Sequence, residues 1–207
     1  MCTLDIKIKE MKKYLMDKDI SKIKKLKLST KYDNLDLEST NLLNEYEYYI
    51  KLLKKIKKYI KSNESKHIFL DIKEDKNKFL VGILNIIDFN SKDIGIQIDI
   101  ILLTGSLNKA YMDCTCYKIN DYSMLYINNF KSRISNRGYG TILLSNLDFN
   151  IKAINNVLNK YNLKEIKLVE GLVVADKNII EENNLINLYK KYGFEVDKYN
   201  RMHKNIK

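Results

Sequence analysis

The stretch SNRGYGTILL at 135–144 constrains the fold more than any other. The chain has only seven glycines and no proline, yet Gly138 and Gly140 stand one residue apart here. Before them, MLYINNF (124–130) has the β-branched and aromatic content of a strand. After them, Leu143, Leu147, Ile151, Ile154 and Leu158 recur at the spacing of one face of a long helix. EIKLVEGLVVA (165–175) then reads as a buried strand. Strand, tight turn, helix, strand is a crossover unit, so part of the sheet is expected to be parallel.

The flanking segments fill in the rest. HIFLDIKE (67–74) and KFLVGILNIIDF (78–89) are β-rich and joined by the turn-like EDKNK. DIGIQIDIILL (93–103) and the stretch around AYMDCTCYKI (110–119) suggest a further pair of strands. Beyond 175, Leu185, Leu188, Tyr189 and Tyr192 form the apolar set of a short helix with Gly193 as its C-cap. FEVDKYNRMHKNI closes the chain as one or two strands.

Upstream, residues 5–62 read as helical and lysine-rich. Leu43, Tyr46, Tyr49, Ile50, Leu53, Ile56, Tyr59 and Ile60 recur at helical spacing, with Ser39 or Thr40 as the expected N-cap. Lys51, Lys54, Lys55, Lys58 and Lys61 occupy the other face. A basic amphipathic helix of this kind suits a membrane surface or nucleic acid, but packing on a sheet with the lysines in water is the favoured expectation. The length suits one domain. The fold class expected is α/β, a mixed, partly parallel central sheet flanked by helices. A helical N-terminal section, 1–62, is part of or packed on a core spanning 63–207.

The formal charge of +11 invites a nucleic-acid partner. Arginine, however, occurs only at 133, 137 and 201, and the lysines are scattered, which disfavours specific nucleic-acid binding. Three cysteines, an odd number, argue against a disulfide framework and for a reducing compartment. MCTLDIKIKE has no apolar signal core, and the greasiest run, IGIQIDIILL (94–103), is about half a membrane span and carries Asp99. A soluble cytoplasmic protein with no membrane partner is expected. Cys114 and Cys116 lie two apart, and His67 and His203 are the only histidines, so no metal site is expected.

The glycine turn has its own chemistry. The first N–H groups of a helix lack partners, and glycines let an anion reach the backbone. Arg133 and Arg137 flank the place. It is not a P-loop, because no G-K-[ST] follows, and Leu143 breaks a full G-x-G-x-x-G.

SNRGYGTILL resembles motif A of the GNAT superfamily of N-acetyltransferases, [QR]-x-x-G-x-[GA] between a strand and a long helix. LINLYKKYGFEV (185–196) is similar to the family's L-Y-x-K-x-G-F segment, and RMHKNI to its closing strand. The resemblance covers roughly 67–207. It implies acetyl transfer from acetyl-CoA to a primary amine by direct attack, the acceptor being unspecified. The amides of Asn136, Arg137, Gly138, Tyr139, Gly140 and Thr141 would hold the pyrophosphate. Backbone near Phe130 would pair with the pantetheine arm and polarise the thioester carbonyl. Tyr189 would protonate the departing thiolate. Ser135 stands where the family usually has Gln or Arg, and Glu182 where it commonly has Asn; a one-residue shift brings in Asn183. The stretch 91–121 is longer than the usual family hairpin and suggests an added arm. The N-terminal helices would be partly the family's own, lengthened, and partly a substrate-side lid or homodimer surface.

A general base is read from the residues themselves. Glu170 is the one carboxylate inside 165–175 and shares parity with Ile166, Leu168, Leu172 and Val174, an apolar setting that would raise its pKa. Deprotonation through water is the alternative. Two further alternatives are a non-catalytic GNAT-like acyl-CoA or protein-binding module and a basic nucleic-acid-binding protein.

Overall fold

The computed structural model describes residues 37–90, 95–106, 109–132, 138–175 and 180–206. In chain order the elements are α1 (Leu37–Lys61), β1 (His67–Glu74), β2 (Leu80–Asp88), β3 (Ile96–Leu103), β4 (Lys109–Ile119) and β5 (Tyr122–Ser132). Then come α2 (Tyr139–Ser145), α3 (Leu147–Lys160), β6 (Ile166–Leu172), α4 (Glu182–Lys191), β7 (Glu195–Val196) and β8 (Arg201–Asn205). The fold is α/β, with one eight-stranded sheet in the order β1-β2-β3-β4-β5-β6-β8-β7. Every neighbouring pair is antiparallel except β5 and β6, whose connection is α2 and α3.

Alternation along the strands sends side chains to two cores. Val81, Ile83 and Ile87 of β2 join Ile98, Ile100, Met112, Leu143, Ile151 and Tyr189 on the face carrying α2, α3 and α4. Leu84 and Ile86, of opposite parity, meet Tyr49, Leu52, Leu53 and Ile56 of α1 on the other face. Lys51, Lys54, Lys58 and Lys61 are exposed, as the sheet-packed helix requires. Lys55 departs from that pattern: its ammonium donates to the carbonyls of Thr104 (3.0 Å) and Ser106, tying α1 to the β3–β4 turn. The helix extends N-terminal of Thr40, so neither Ser39 nor Thr40 caps it. Residues 5–36 of the expected helical section lie outside the described residues. Among the described residues no helix is long and apolar enough to cross a membrane.

Three further expectations are corrected. The 91–121 stretch is not an arm, because β3 and β4 are interior strands of the sheet, paired on both sides. The long helix after the glycine turn is two helices broken at Asn146, whose ψ of 2° is not helical. The buried Asn146 amide donates to Asp71 of β1 and to Asn150, both at 3.2 Å, so the break is pinned by polar contacts. The strand expected over 165–175 is buried on one face only. Lys167 is an extra residue between Ser123↔Ile166 and Met124↔Leu168, and this bulge reverses the alternation. Val169, Gly171 and Val173 are therefore buried, while Leu172 and Val174 face outward.

Cys114 and Cys116 sit in the core of β4. Burial pushes the Cys116 thiol from 9.0 to about 11, and Cys114 is pushed up too. Between those values the unfolded chain ionises and the fold does not. Their contribution is full below about pH 9 and is lost as pH rises toward 11. Urea melts from pH 8 to 11 are expected to show that decline. Cys116→Ala should lessen it, whatever the variant costs at pH 8.

Candidate functional site

The parallel pair does not stay together. β5 and β6 pair from Ser123↔Ile166 to Ile127↔Gly171 and no further. β5 runs on beside β4 as far as Ser132↔Ala110, while Leu172 of β6 pairs with Arg201 of β8. Past Ile127 the two strands part, and among the described residues 128–131 have a strand neighbour on one side only. Among the described residues, half of the backbone groups of 128–131 have no strand-ladder partner, a strand edge inside a sheet. Two irregularities lie at the fork. Asn128 is the extra residue of a bulge against β4, between Cys114↔Ile127 and Asp113↔Asn129. A Cβ at Gly171 would stand 3.2 Å from the Ile127 carbonyl oxygen, so the strands meet closely just before they separate.

The glycine turn lies at the same end of the sheet. Gly138 has φ +75° and ψ 8°, a left-handed conformation that side-chain-bearing residues rarely adopt, and is the N-cap of α2. The first helical bond runs from Ile142 N–H to the Gly138 carbonyl at 2.9 Å. The amides of Tyr139, Gly140 and Thr141 thus lie outside the helix's own ladder. A Cβ on Gly140 would sit 3.2 Å from Cζ of Phe130, so this glycine lets the helix start rest on that ring. The Tyr139 side chain is buried in the core, which leaves only its backbone for a ligand. Arg133, Ser135, Asn136 and Arg137 lie outside the described residues.

Phe130, beyond the fork, leads to Tyr189 of α4, with ring centroids 6.2 Å apart, and Tyr189 to Phe194 at 5.4 Å. Tyr189 is 3% exposed and is both a core contact and the phenol nearest to Phe130 among these rings. Burial first, then the neighbouring Cys114, pushes its hydroxyl above the ordinary value of 10. That keeps it protonated and makes it a weaker proton donor than a solvated tyrosine, better suited to holding a hydrogen bond than to surrendering its proton.

Glu170 is half-buried one residue before the parting, opposite Tyr126 on β5 and His203 on β8. Its same-side neighbours are half-buried Leu168 and exposed Leu172, so its setting is apolar but not the buried one expected for it. The reversal at Lys167 is the reason. Asn183 and Asn184 are exposed in the first turn of α4, and Glu182 accepts from the Asn200 amide at 2.7 Å. His67 is exposed at the start of β1, and His203 faces Glu195 at 3.3 Å. Among the described residues no group of three or more His, Cys, Asp and Glu is placed to hold a metal.

One residue of the site was missed in the sequence. Lys76, in the β1–β2 turn, lays its chain beside Gly138, with Cε 2.8 Å and Nζ 3.5 Å from where a Cβ would be. Nothing within EDKNK connects it to a loop sixty residues downstream.

No protein-family model and no curated protein matches the chain. Among solved structures, the crystal structure of the anti-CRISPR protein AcrVA5 is similar over 51% of this chain and 96% of that one. Identity is 15% and the TM-score 0.31, a likeness that decides neither fold nor function.

Proposed function

We propose that the protein is an acetyl-CoA-dependent N-acetyltransferase of GNAT type, acting on a primary amine by direct attack. The parting of β5 and β6 beside the Gly138–Gly140 turn is the observation that carries this reading. The edge at residues 128–131 supplies backbone donors and acceptors at the spacing of an amide-bearing arm, which is how the pantetheine of acetyl-CoA would bind. The amides outside the α2 ladder, with the Lys76 ammonium beside Gly138, suit its phosphates. An edge amide near Phe130 would polarise the thioester carbonyl. Tyr189, protonated throughout the neutral range, would hold the leaving sulfur by a hydrogen bond from its hydroxyl. Glu170, on the opposite side of the sheet from Tyr189, would accept the proton of the incoming ammonium directly or through water. The 91–121 strands and α1 complete the domain and need no lid to explain them.

A thermal-melt titration with acetyl-CoA, with ATP at matched concentration as the polyanion control, tests the reading. At about a hundred times its dissociation constant the cofactor should stabilise the fold by roughly 2.7 kcal/mol. Equal effects of both ligands, or none, would overturn it. Tyr189→Phe should lower kcat by about a hundredfold with the acetyl-CoA dissociation constant unchanged, which stopped assays and melts measure together. A variant with full kcat would leave Tyr189 as a core contact alone.

A further inference from the structure

Four polar side chains are buried on the sheet face that carries α2 and α3: Asp71 of β1, Asn85 of β2, Asn146 at the helix break and Asn150 of α3. Asn85 and Asn150 are fully buried. Asn85 stands opposite Phe69 of β1 and Ile100 of β3, with Ile83 and Ile87 to either side of it along β2. Asn150 lies one turn from Leu147 and from Ile154, both fully buried. The setting is apolar, so every polar atom in the cluster needs a partner there.

The Asn146 amide nitrogen donates to Asp71 Oδ2 and to Asn150 Oδ1, each at 3.2 Å, and Asn85 Nδ2 donates to Asn150 Oδ1 at 3.3 Å. Asn150 Oδ1 thus accepts twice, which uses both of its lone pairs. Asp71 also faces the Lys73 ammonium at 3.2 Å and accepts the Ile72 N–H at 2.9 Å. Two buried atoms of the cluster have no protein partner: Asn85 Oδ1 and Asn150 Nδ2. Turning the amides over does not cure this. Reversing Asn150 alone points its NH2 at two donors, and reversing Asn85 alone sets two oxygens face to face. Reversing both joins Asn150 Nδ2 to Asn85 Oδ1 but leaves the Asn146 NH2 against another NH2. Asn146 cannot turn in response, because its oxygen would then meet the Asp71 carboxylate. That carboxylate, an acceptor paired with Lys73, therefore sets the orientation of all three amides.

What remains is one acceptor and one donor group, on two amides already bonded to each other. A cation would be repelled by the Asn150 NH2, and an anion by the Asn85 oxygen. Water meets both demands at once, giving a proton to the oxygen and accepting one from the nitrogen. Buried waters use about two to four polar partners, and they are the usual partner of buried polar groups that the protein leaves open. We propose that one water molecule is held between Asn85 Oδ1 and Asn150 Nδ2, completing the network that ties the α2–α3 break to β1 and β2. The apolar core around the two amides shuts it off from bulk solvent, so it exchanges only when α3 opens from the sheet. The site does not depend on what binds at the fork.

The test uses the full chain. A high-resolution crystal structure should show a density peak within hydrogen-bond distance of both atoms. In solution, NMR should give cross-peaks between water and the Asn150 side-chain amide protons, with the sign of a long-lived bound water. None of the four side chains carries a hydroxyl that could relay such a signal. Asn85→Leu keeps most of the side chain's bulk, removes its oxygen and should abolish the cross-peak. Where that variant fails to fold, the wild-type crystal decides alone. A density peak touching both amides, with a cross-peak lost in Asn85→Leu, is the expected result. No density at the two atoms, or a cross-peak unchanged in folded Asn85→Leu, overturns the proposal.

Discussion

Gly138→Val is expected to erase the rise in melting temperature that acetyl-CoA gives the wild-type chain, while the apo protein still folds. Two demands meet at this position. With φ at +75°, a β-branched residue must abandon the left-handed conformation or carry its strain, on the order of 1–2 kcal/mol. A Cβ would also lie 2.8 Å from Cε of Lys76, displacing the ammonium from the turn. The strain is affordable to a domain of this size. The backbone shift is not affordable to a phosphate site, where displacement of about 1 Å can cost a hundredfold. Gly138→Asn, which tolerates this conformation, should retain part of the shift. Lys76→Ala should weaken it without changing the apo melt. ATP binding through scattered lysines should be nearly unchanged in all three. Full acetyl-CoA stabilisation of Gly138→Val would mean that the turn is only a turn.

Gly105→Ala should be the most damaging single methyl in the described chain. Its Cβ would fall 2.2 Å from the backbone oxygen of Tyr48 and 2.5 Å from that residue's Cγ. Backbone cannot rotate away, so α1 must lift from the β3–β4 turn, and with it the Lys55 bonds to Thr104 and Ser106. A loss of roughly 3 kcal/mol or more is expected, within the range for overpacked cores. Urea denaturation measures it, and limited proteolysis should cut earliest beside α1. Gly82→Ala is the control. Its Cβ would meet Cδ1 of Ile56 at 2.9 Å, the end of a flexible side chain, and should cost about 1 kcal/mol. Equal costs for the two would show that α1 is not seated against Gly105.

Much of this was legible from local pattern. The helical apolar face of 143–158, the four strands before 120, the strand into the glycine turn and the left-handed Gly193 all appear where residue spacing puts them. Tyr189 and Phe130 were picked out by resemblance, and they lie in one aromatic chain. The burial expected around Glu170 differs because parity counted straight through Lys167 ignores the bulge there, a property of pairing with β5. Lys76 was missed because its importance depends on a contact across the sheet. Asp99 was noticed only as a charge interrupting an apolar run; that it stands opposite Asp113 is set by register.

The sequence alone determined which residues share a face within each helix and strand, and where the chain must turn, because side-chain periods and glycine conformations are local properties of the backbone. The tertiary structure decided which strands lie side by side, where β5 and β6 part, and which lysine and which carboxylate stand at that fork. Those are consequences of register, and one residue of slip moves every side chain in a strand to the other face.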